Sequence, residues 1–253
     1  MDRNIIARQF HEDGCAIVRG VFSRDEIAEI ERQLAKLIRD VVSKLEPGKV
    51  YYEDAPGKPI KSIFGLEKFS EFFRGLMADE RLLLIMRAIF PDGEVVQVGA
   101  SLFAKAARAG SVTPAHQDNA FQNLDPAEDL ICTIAIDESI PENGALIVQK
   151  GSHKLGLLPH RPSGVMGFSQ TLVSPVEAQK FPEVQLCMKP GDICLHHTNA
   201  IHRSGPNTTT KSRRQLAIGY RSSRAKRDEA GWARYQAELK KLHEQNAATG
   251  VNG

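Results

Sequence analysis

The chain reads as a mainly β protein wrapped by helices, a sandwich or a barrel, and two patterns in its 253 residues predict this. From Gly93 onward the short β-type runs "EVVQVGASLFAKA", "DLICTIAID", "GALIVQK", "EVQLCMK", "DICLHH" and "RQLAIGYRS" alternate with turns such as "DPAED", "IPENG" and "KPGD". Many short strands punctuated by Gly and Pro build a layered or closed all-β core. Before Gly93 the apolar residues recur at three- and four-residue spacing, the mark of helices with one buried face. No repeat, low-complexity tract or linker divides the chain, so a single domain over 1–253 is expected. It has a helical part over 1–92, a β core over about 93–223 and a C-terminal helix over about 226–246.

In order, "DRNIIARQFHEDG" predicts a short helix closed by Gly14, and "CAIVRGVF" a strand after it. Ser23 and Glu26 form an S-x-x-E capping box, with Phe22 and Ile27 placed as a hydrophobic staple. Ile27, Ile30, Leu34, Leu37, Ile38 and Val41 then make one stripe of a helix running to about Leu45. "LEPGKVYYEDAPGKPIKS" reads as a turn-rich loop, followed by helical segments around 66–76 and 79–89. At the far end Trp232, Tyr235, Leu239 and Leu242 share one helical face, read as a docking face onto the body of the protein.

Composition narrows the function classes. A chain with 42% hydrophobic and 25% charged residues is an ordinary globular one. At this length it buries roughly 70–75% of its unfolded surface, so it needs no disulfide or structural zinc to fold. A net charge of +2 and a pI near 8.3 are too mild to argue for nucleic acid or an anionic membrane. Cys15, Cys132, Cys187 and Cys194 form no C-x-x-C pair and read as free thiols in a reducing compartment. No secretory leader pattern and no apolar run of ~20 residues is visible. The expectation is a cytoplasmic protein, monomer or homodimer, acting on a small molecule.

The chemistry gathers on the β core. In "TPAHQDNAF", His116 and Asp118 are one residue apart, so an extended backbone would turn both to one face, Cα atoms ~6.5–7 Å apart. By itself an H-x-D triplet reads equally as a surface hydrogen bond. A histidine from a distant strand would complete the two-histidine, one-carboxylate facial set of non-haem iron oxygenases, which leaves three coordination positions open. Zinc is the rival metal, but the helical H-E-x-x-H pattern of many zinc hydrolases is absent. The tract "HHTNAIHRSGPN" offers that histidine. His196 and His197 are strand neighbours and point to opposite faces, while His202 follows a short turn, with Ser204 and Asn207 beyond it. Arg213 comes eleven residues after His202, and its guanidinium, or that of Arg214, could fork the far carboxylate of a 2-oxo diacid; one of the two must face inward.

Taken together, "AHQDNAF", "IDESIPENGALIVQKGSHKLG" and "KPGDICLHHTNAIHRSGPNTTTKSRRQLAIGY" resemble the phytanoyl-CoA dioxygenase family of Fe(II)/2-oxoglutarate oxygenases. "FHEDGCAIVRGVFSRDEI" resembles the family's opening, so the likeness spans nearly the whole chain with five motifs in order. The resemblance implies a double-stranded β-helix, a cupin-like jelly roll, flanked by helices. It implies Fe(II) on His116, Asp118 and His202, with 2-oxoglutarate on Arg213 and Ser204. Thr133 and Ser101 stand where the family often has Trp and Met, and both are placed in the cosubstrate pocket. Lys105 shares the family's eleven-residue spacing before His116, with no role assigned. An intact Asp118 argues for hydroxylation of an unactivated C–H, using O2 and releasing succinate and CO2, over halogenation.

Other readings stay open beside it: another oxidative outcome such as desaturation, ring formation or epoxidation, a cupin-like metallohydrolase, or a non-catalytic metal-binding protein. His197 reads as a packing or hydrogen-bonding residue, His196 as solvent-facing or interfacial, and His153 as part of a structural turn. The segments "YYEDAPGKPIKSIFG" and "LPHRPSGVMGFSQTLVSPVEAQKFPE", the latter with Arg161, Met166 and Phe168, are expected as loops lining the mouth.

Overall fold

The computed structural model describes residues 2–46, 48–165 and 168–248. In chain order its elements are α1 (Arg3–Asp13), β1 (Cys15–Val18), α2 (Arg24–Val41), β2 (Val50–Tyr52), β3 (Ile60–Phe64), α3 (Leu66–Phe69), α4 (Glu71–Met77) and α5 (Glu80–Ile89). Then come β4 (Val96–Lys105), β5 (Thr113–His116), α6 (Asn119–Gln122), β6 (Asp129–Ala135), β7 (Leu146–Gln149), β8 (His160–Val165) and β9 (Phe168–Leu172). The chain continues through β10 (Glu183–Leu186), β11 (Ile193–His197), β12 (His202–Ser204), β13 (Arg213–Arg221) and α7 (Glu229–Ala248).

The helices start and stop where local chemistry dictates. Asp2 caps α1 by accepting from the Asn4 and Ile5 amides, and Gly14 ends it in the left-handed region at φ 76°. The capping box at α2 is present in both directions, Ser23 bonding the Glu26 amide and Glu26 the Ser23 amide. The α2 stripe Ile27, Ile30, Leu34 and Leu37 is buried, and the helix tightens into a 3-10 turn over Val42–Lys44. The segment read as 66–76 is two helices broken at Ser70, and the last helix starts at Glu229 instead of about 226.

A seven-stranded antiparallel sheet runs β1-β11-β6-β13-β4-β3-β2, and a four-stranded antiparallel sheet runs β10-β7-β12-β5. Strand alternation gives the large sheet two faces. Leu130, Cys132 and Ile134 of β6, with Leu216, Ile218 and Tyr220 of β13, pack into the main core beneath the helices. Their neighbours Thr133, Arg213, Gln215 and Ala217 line a cavity shared with His116 and His202 of the small sheet. The cavity therefore lies between the two sheets. At one end the gap is closed by apolar residues from both, among them Ala135 and Cys194 facing Val148 and Leu186. This helix-flanked pair of antiparallel sheets is the jelly-roll core that the resemblance implied.

Two expectations need correction. The stretch from Val50 to Phe64 is not a loop but the hairpin β2–β3, so the N-terminal part, expected to hold one strand, supplies three to the large sheet. Its residues look turn-rich because the strands are short, and they are held by pairing Ser62–Phe64 onto β4. The segment from Leu158 to Glu183 likewise contains a hairpin, β8–β9. Among the described residues no helix is long and apolar enough to cross a membrane. All four cysteines are unpaired.

Candidate active site

Antiparallel pairing assembles the metal-ligand candidates. His202 on β12 stands directly opposite His116 on β5, and their rings lie 4.2 Å apart between centroids. β5 ends at His116; Asp118 sits at the start of α6 in helical geometry (φ −61°, ψ −28°), so a turn, not an extended strand, brings it round. Its Oδ1 lies 3.3 Å from His116 Nε2 and 3.5 Å from His202 Nε2. One donor atom from each of the three lies within 4.8 Å of the others. Gln117, fully buried between the two ligand candidates, ties this turn down: its amide side chain donates to the Gly156 and Asn199 carbonyls and accepts from the Leu158 amide.

The hydrogen bonds and charges around the cluster suit a cation. His116 Nδ1 bonds the Pro114 carbonyl at 2.8 Å and His202 Nδ1 the Ala200 carbonyl at 3.0 Å. A carbonyl only accepts, so each Nδ1 carries a proton and Nε2 is the ring nitrogen turned toward Asp118, the usual orientation of a ligating histidine. Burial pushes the His202 imidazole down to about 3, against the opposing pull of Asp118. Burial would raise the Asp118 carboxyl, but His202, His116 and His196 outweigh it and hold the group well below the usual carboxylate range. The cluster thus brings together the Nε2 atoms of two imidazoles and a carboxylate oxygen, a donor set that fits a divalent transition metal.

Deeper in the cavity lies Arg213, the inward one of the arginine pair. It is 5% exposed, and burial lowers it to about 10, still cationic at neutral pH. Its Nη1 donates to Gln215 Oε1 and its Nη2 to the Gly144 carbonyl at 3.1 Å. Arg213 Nε and Gln215 Nε2 are buried donors with no partner among the described residues. A carboxylate placed there would satisfy both, which is the fit expected of the far end of a diacid. Arg214 instead faces outward and pairs with Asp137 and Glu31. Gly144 has to be glycine: at φ 84° a Cβ would lie 2.6 Å from the Gly205 carbonyl and 2.7 Å from Lys105 Cδ.

With the ligand cluster and the buried fork in place, the comparisons with known proteins decide the family. The family described as Phytanoyl-CoA dioxygenase (PhyH) matches residues 10–215. The chain belongs to the phytanoyl-CoA dioxygenase family. With membership comes the enzyme class, an oxidoreductase of the dioxygenase type. Among its relatives is a probable alpha-ketoglutarate-dependent hypophosphite dioxygenase of Stutzerimonas stutzeri, 27% identical, covering 86% of this chain and 78% of that one. Another is the peroxisomal phytanoyl-CoA dioxygenase of Rattus norvegicus, 26% identical, covering 89% and 71%. Among solved structures, EctD from S. alaskensis with 2-oxoglutarate and 5-hydroxyectoine is 25% identical, with a TM-score of 0.71 and coverage of 85% and 74%.

All seven residues picked from the sequence of this family member, His116, Asp118, His202, Arg213, Ser204, Thr133 and Ser101, line one cavity of about 1160 Å³. Lys105 joins them: it pairs with Arg213 across the β4–β13 register, and its Nζ donates to the Ser111 carbonyl. Burial, with Arg213 adding to it, lowers Lys105 to about 7. Asn207, the last residue of H-x-S-x-x-N, bonds the Lys105 and Lys211 carbonyls and so joins the ends of β4 and β13. Phe121 packs edge-on against His116 and against Tyr235 of α7, so the predicted docking face is also a wall of the cavity. Arg161 is exposed, while Met166 and the side chains of Phe168 and Leu242 lie outside what is described.

Of the two adjacent histidines, His197 packs and hydrogen-bonds as expected, and His196 does not behave as expected. His196 is not solvent-facing: it is 4% exposed, lines the cavity, and its Nε2 lies 3.0 Å from Asp118 Oδ2. His197 faces the other way, stacked on Phe10 and near His153, with its Nδ1 accepting from the Asn199 amide. Register explains it, since Cys194 and His196 share the inner face of β11 while Ile193, Leu195 and His197 face the helices. Sequence reasoning also missed Gln215, which alternation alone could have found two residues beyond Arg213 on the same face.

Proposed function

We propose that the chain is an iron(II)- and 2-oxoglutarate-dependent dioxygenase that hydroxylates an unactivated C–H of a small organic molecule. The observation that carries this reading is the pairing, in one cavity, of a two-histidine, one-carboxylate cluster with a buried guanidinium that has a donor to spare. The solved structure of EctD with 2-oxoglutarate and 5-hydroxyectoine supports the same chemistry on a similar fold.

When bound, iron(II) with 2-oxoglutarate and O2 supplies the oxidising chemistry, releasing succinate and CO2 and adding oxygen to the substrate. The protein supplies the rest. His116 Nε2, His202 Nε2 and Asp118 Oδ1 hold the metal, and Arg213 with Gln215 anchors the distal carboxylate of 2-oxoglutarate. Ser204, Thr133 and Ser101 flank that carbon chain from the cavity wall, and Lys105 lies beside Arg213 across the β4–β13 register. Phe121 and Tyr235 give the substrate an apolar wall next to His116 and keep water from it. The cavity is far larger than 2-oxoglutarate alone and leaves room for a mid-sized organic substrate. A metallohydrolase would have no use for the buried fork.

The test is anaerobic. Protein, Fe(II) and 2-oxoglutarate are mixed and the visible spectrum is read for the charge-transfer band near ~500 nm of a metal-chelated 2-oxo acid. No band from the intact protein would sink the proposal. Succinate release, screened over candidate substrates, then identifies what is oxidised.

A further inference from the structure

The fold gives the two oxygens of Asp118 different neighbours. Oδ1 faces His116 and His202 at 3.3 and 3.5 Å, whereas Oδ2 lies 3.0 Å from His196 Nε2. A carboxylate can only accept, so the His196 ring presents Nε2–H to it, and Nδ1 is the nitrogen on the other side of the ring. That Nδ1 is buried and has no hydrogen-bond partner among the described residues. Burying a polar atom this way costs about 1–3 kcal/mol, so the wall of this cavity tolerates a ring that an apolar residue could replace at lower cost. The ring is also held in place. His196 sits inside β11, in register with Cys15 of β1 and Ile131 of β6, and its centroid is 4.6 Å from the His202 ring. It is not itself part of the three-residue ligand cluster.

We propose that His196 is a positioning residue that restricts Asp118 to a one-oxygen grip on the metal. Its Nε2–H occupies Oδ2 and turns Oδ1 alone toward His116 and His202. This rests on the iron reading above and adds to it a reason for the orientation of the carboxylate. A carboxylate bound through one oxygen takes one coordination position and through both takes two. Beside two histidines in an octahedral site, the one-oxygen grip leaves three positions open and the two-oxygen grip leaves two. A chelating 2-oxo acid uses two, so the third position is what His196 secures.

The experiment titrates metal-free, full-length protein with Mn(II), reading affinity by calorimetry and Mn(II)-bound water by water-proton relaxation. His196→Phe keeps the ring volume and removes the N–H. His196→Gln places an amide N–H at the reach of Nε2, and His196→Asn places one too short to meet Oδ2. The Phe and Asn variants are expected to bind Mn(II) about 10–100-fold more weakly and to lose about one bound water. The Gln variant is expected to stay within about threefold of wild type. Wild-type behaviour in all three variants would overturn the proposal, and so would a Gln variant as impaired as Asn, since packing alone would then explain the loss. If circular dichroism shows the Phe variant unfolded, the Gln–Asn pair decides the matter by itself. A wild-type protein that binds no Mn(II), or one whose Asp118→Ala variant binds equally well, would overturn the iron reading instead, a separate and recognisable outcome.

Discussion

At Arg213 a buried guanidinium keeps its Nε without a partner while Nη1 and Nη2 are tied to Gln215 and Gly144. Charge-assisted hydrogen bonds to a carboxylate contribute about 1.5–3 kcal/mol, so Arg213→Ala should weaken 2-oxoglutarate binding by at least about tenfold. Mn(II) affinity should not change, because Arg213 touches none of the three ligand candidates; paired calorimetric titrations separate the two effects. Two histidines make a prediction about pH. Burial lowers both His197 and His202 to about 3 from the ordinary 6.5. Between those values the unfolded chain takes up protons that the folded chain refuses, so stability rises with pH across the window and falls as the medium is acidified through it. The urea midpoint of the metal-free protein should therefore drop between pH 6.5 and about 4.5. His197→Asn should flatten that dependence, since it can still accept from the Asn199 amide but has no proton to gain. The ligand candidates themselves were legible as a spaced pattern, H-x-D with a distant histidine. The inward face of His196 was not, because alternation says that two neighbours diverge without saying which one faces inward.

At the scale of elements, α2 is the part whose ends follow most directly from local chemistry. Its capping box satisfies amides that the helix itself cannot, and removing it with Ser23→Ala should cost about 1 kcal/mol. That corresponds to a melting temperature lower by about 2–4 °C for a chain of this size, read by thermal denaturation. The hairpin β2–β3 is the opposite case. Its strands are three and five residues long and carry Pro, Gly and Asp between them, so nothing in their periodicity outweighs the turn signals. Pairing of β3 with β4 makes them strands, and that pairing is a tertiary event. The turn before β11 shows how a short motif reaches across the fold. Asp192 of "KPGD" accepts from Arg19, Gly20 and Lys189, and a Cβ on Gly191 would lie 2.1 Å from the Phe22 carbonyl. The motif therefore locks β11, and with it His196, against the loop that leads into α2.

For the whole molecule the cavity couples stability to ligands, since the cluster and the fork belong to different strands of the two sheets. A ligand bound only by the folded chain stabilises it by mass action, by about 2.7 kcal/mol at a hundredfold excess over Kd. Mn(II) should raise the melting temperature, 2-oxoglutarate should raise it further only when metal is present, and a chelator should reverse both; differential scanning fluorimetry reads all three. The amino-acid sequence by itself determined the mixed helical and β composition, the caps and turns, and the list of candidate site residues, because these depend on spacing and on residue type. Only the tertiary structure decided that β5 and β12 pair His116 with His202, that Asp118 arrives through a turn, and that His196 and Arg213 face inward while His197 and Arg214 do not. Those outcomes depend on strand register and on which face of each strand the helices cover, and both are set by contacts between residues far apart in the chain.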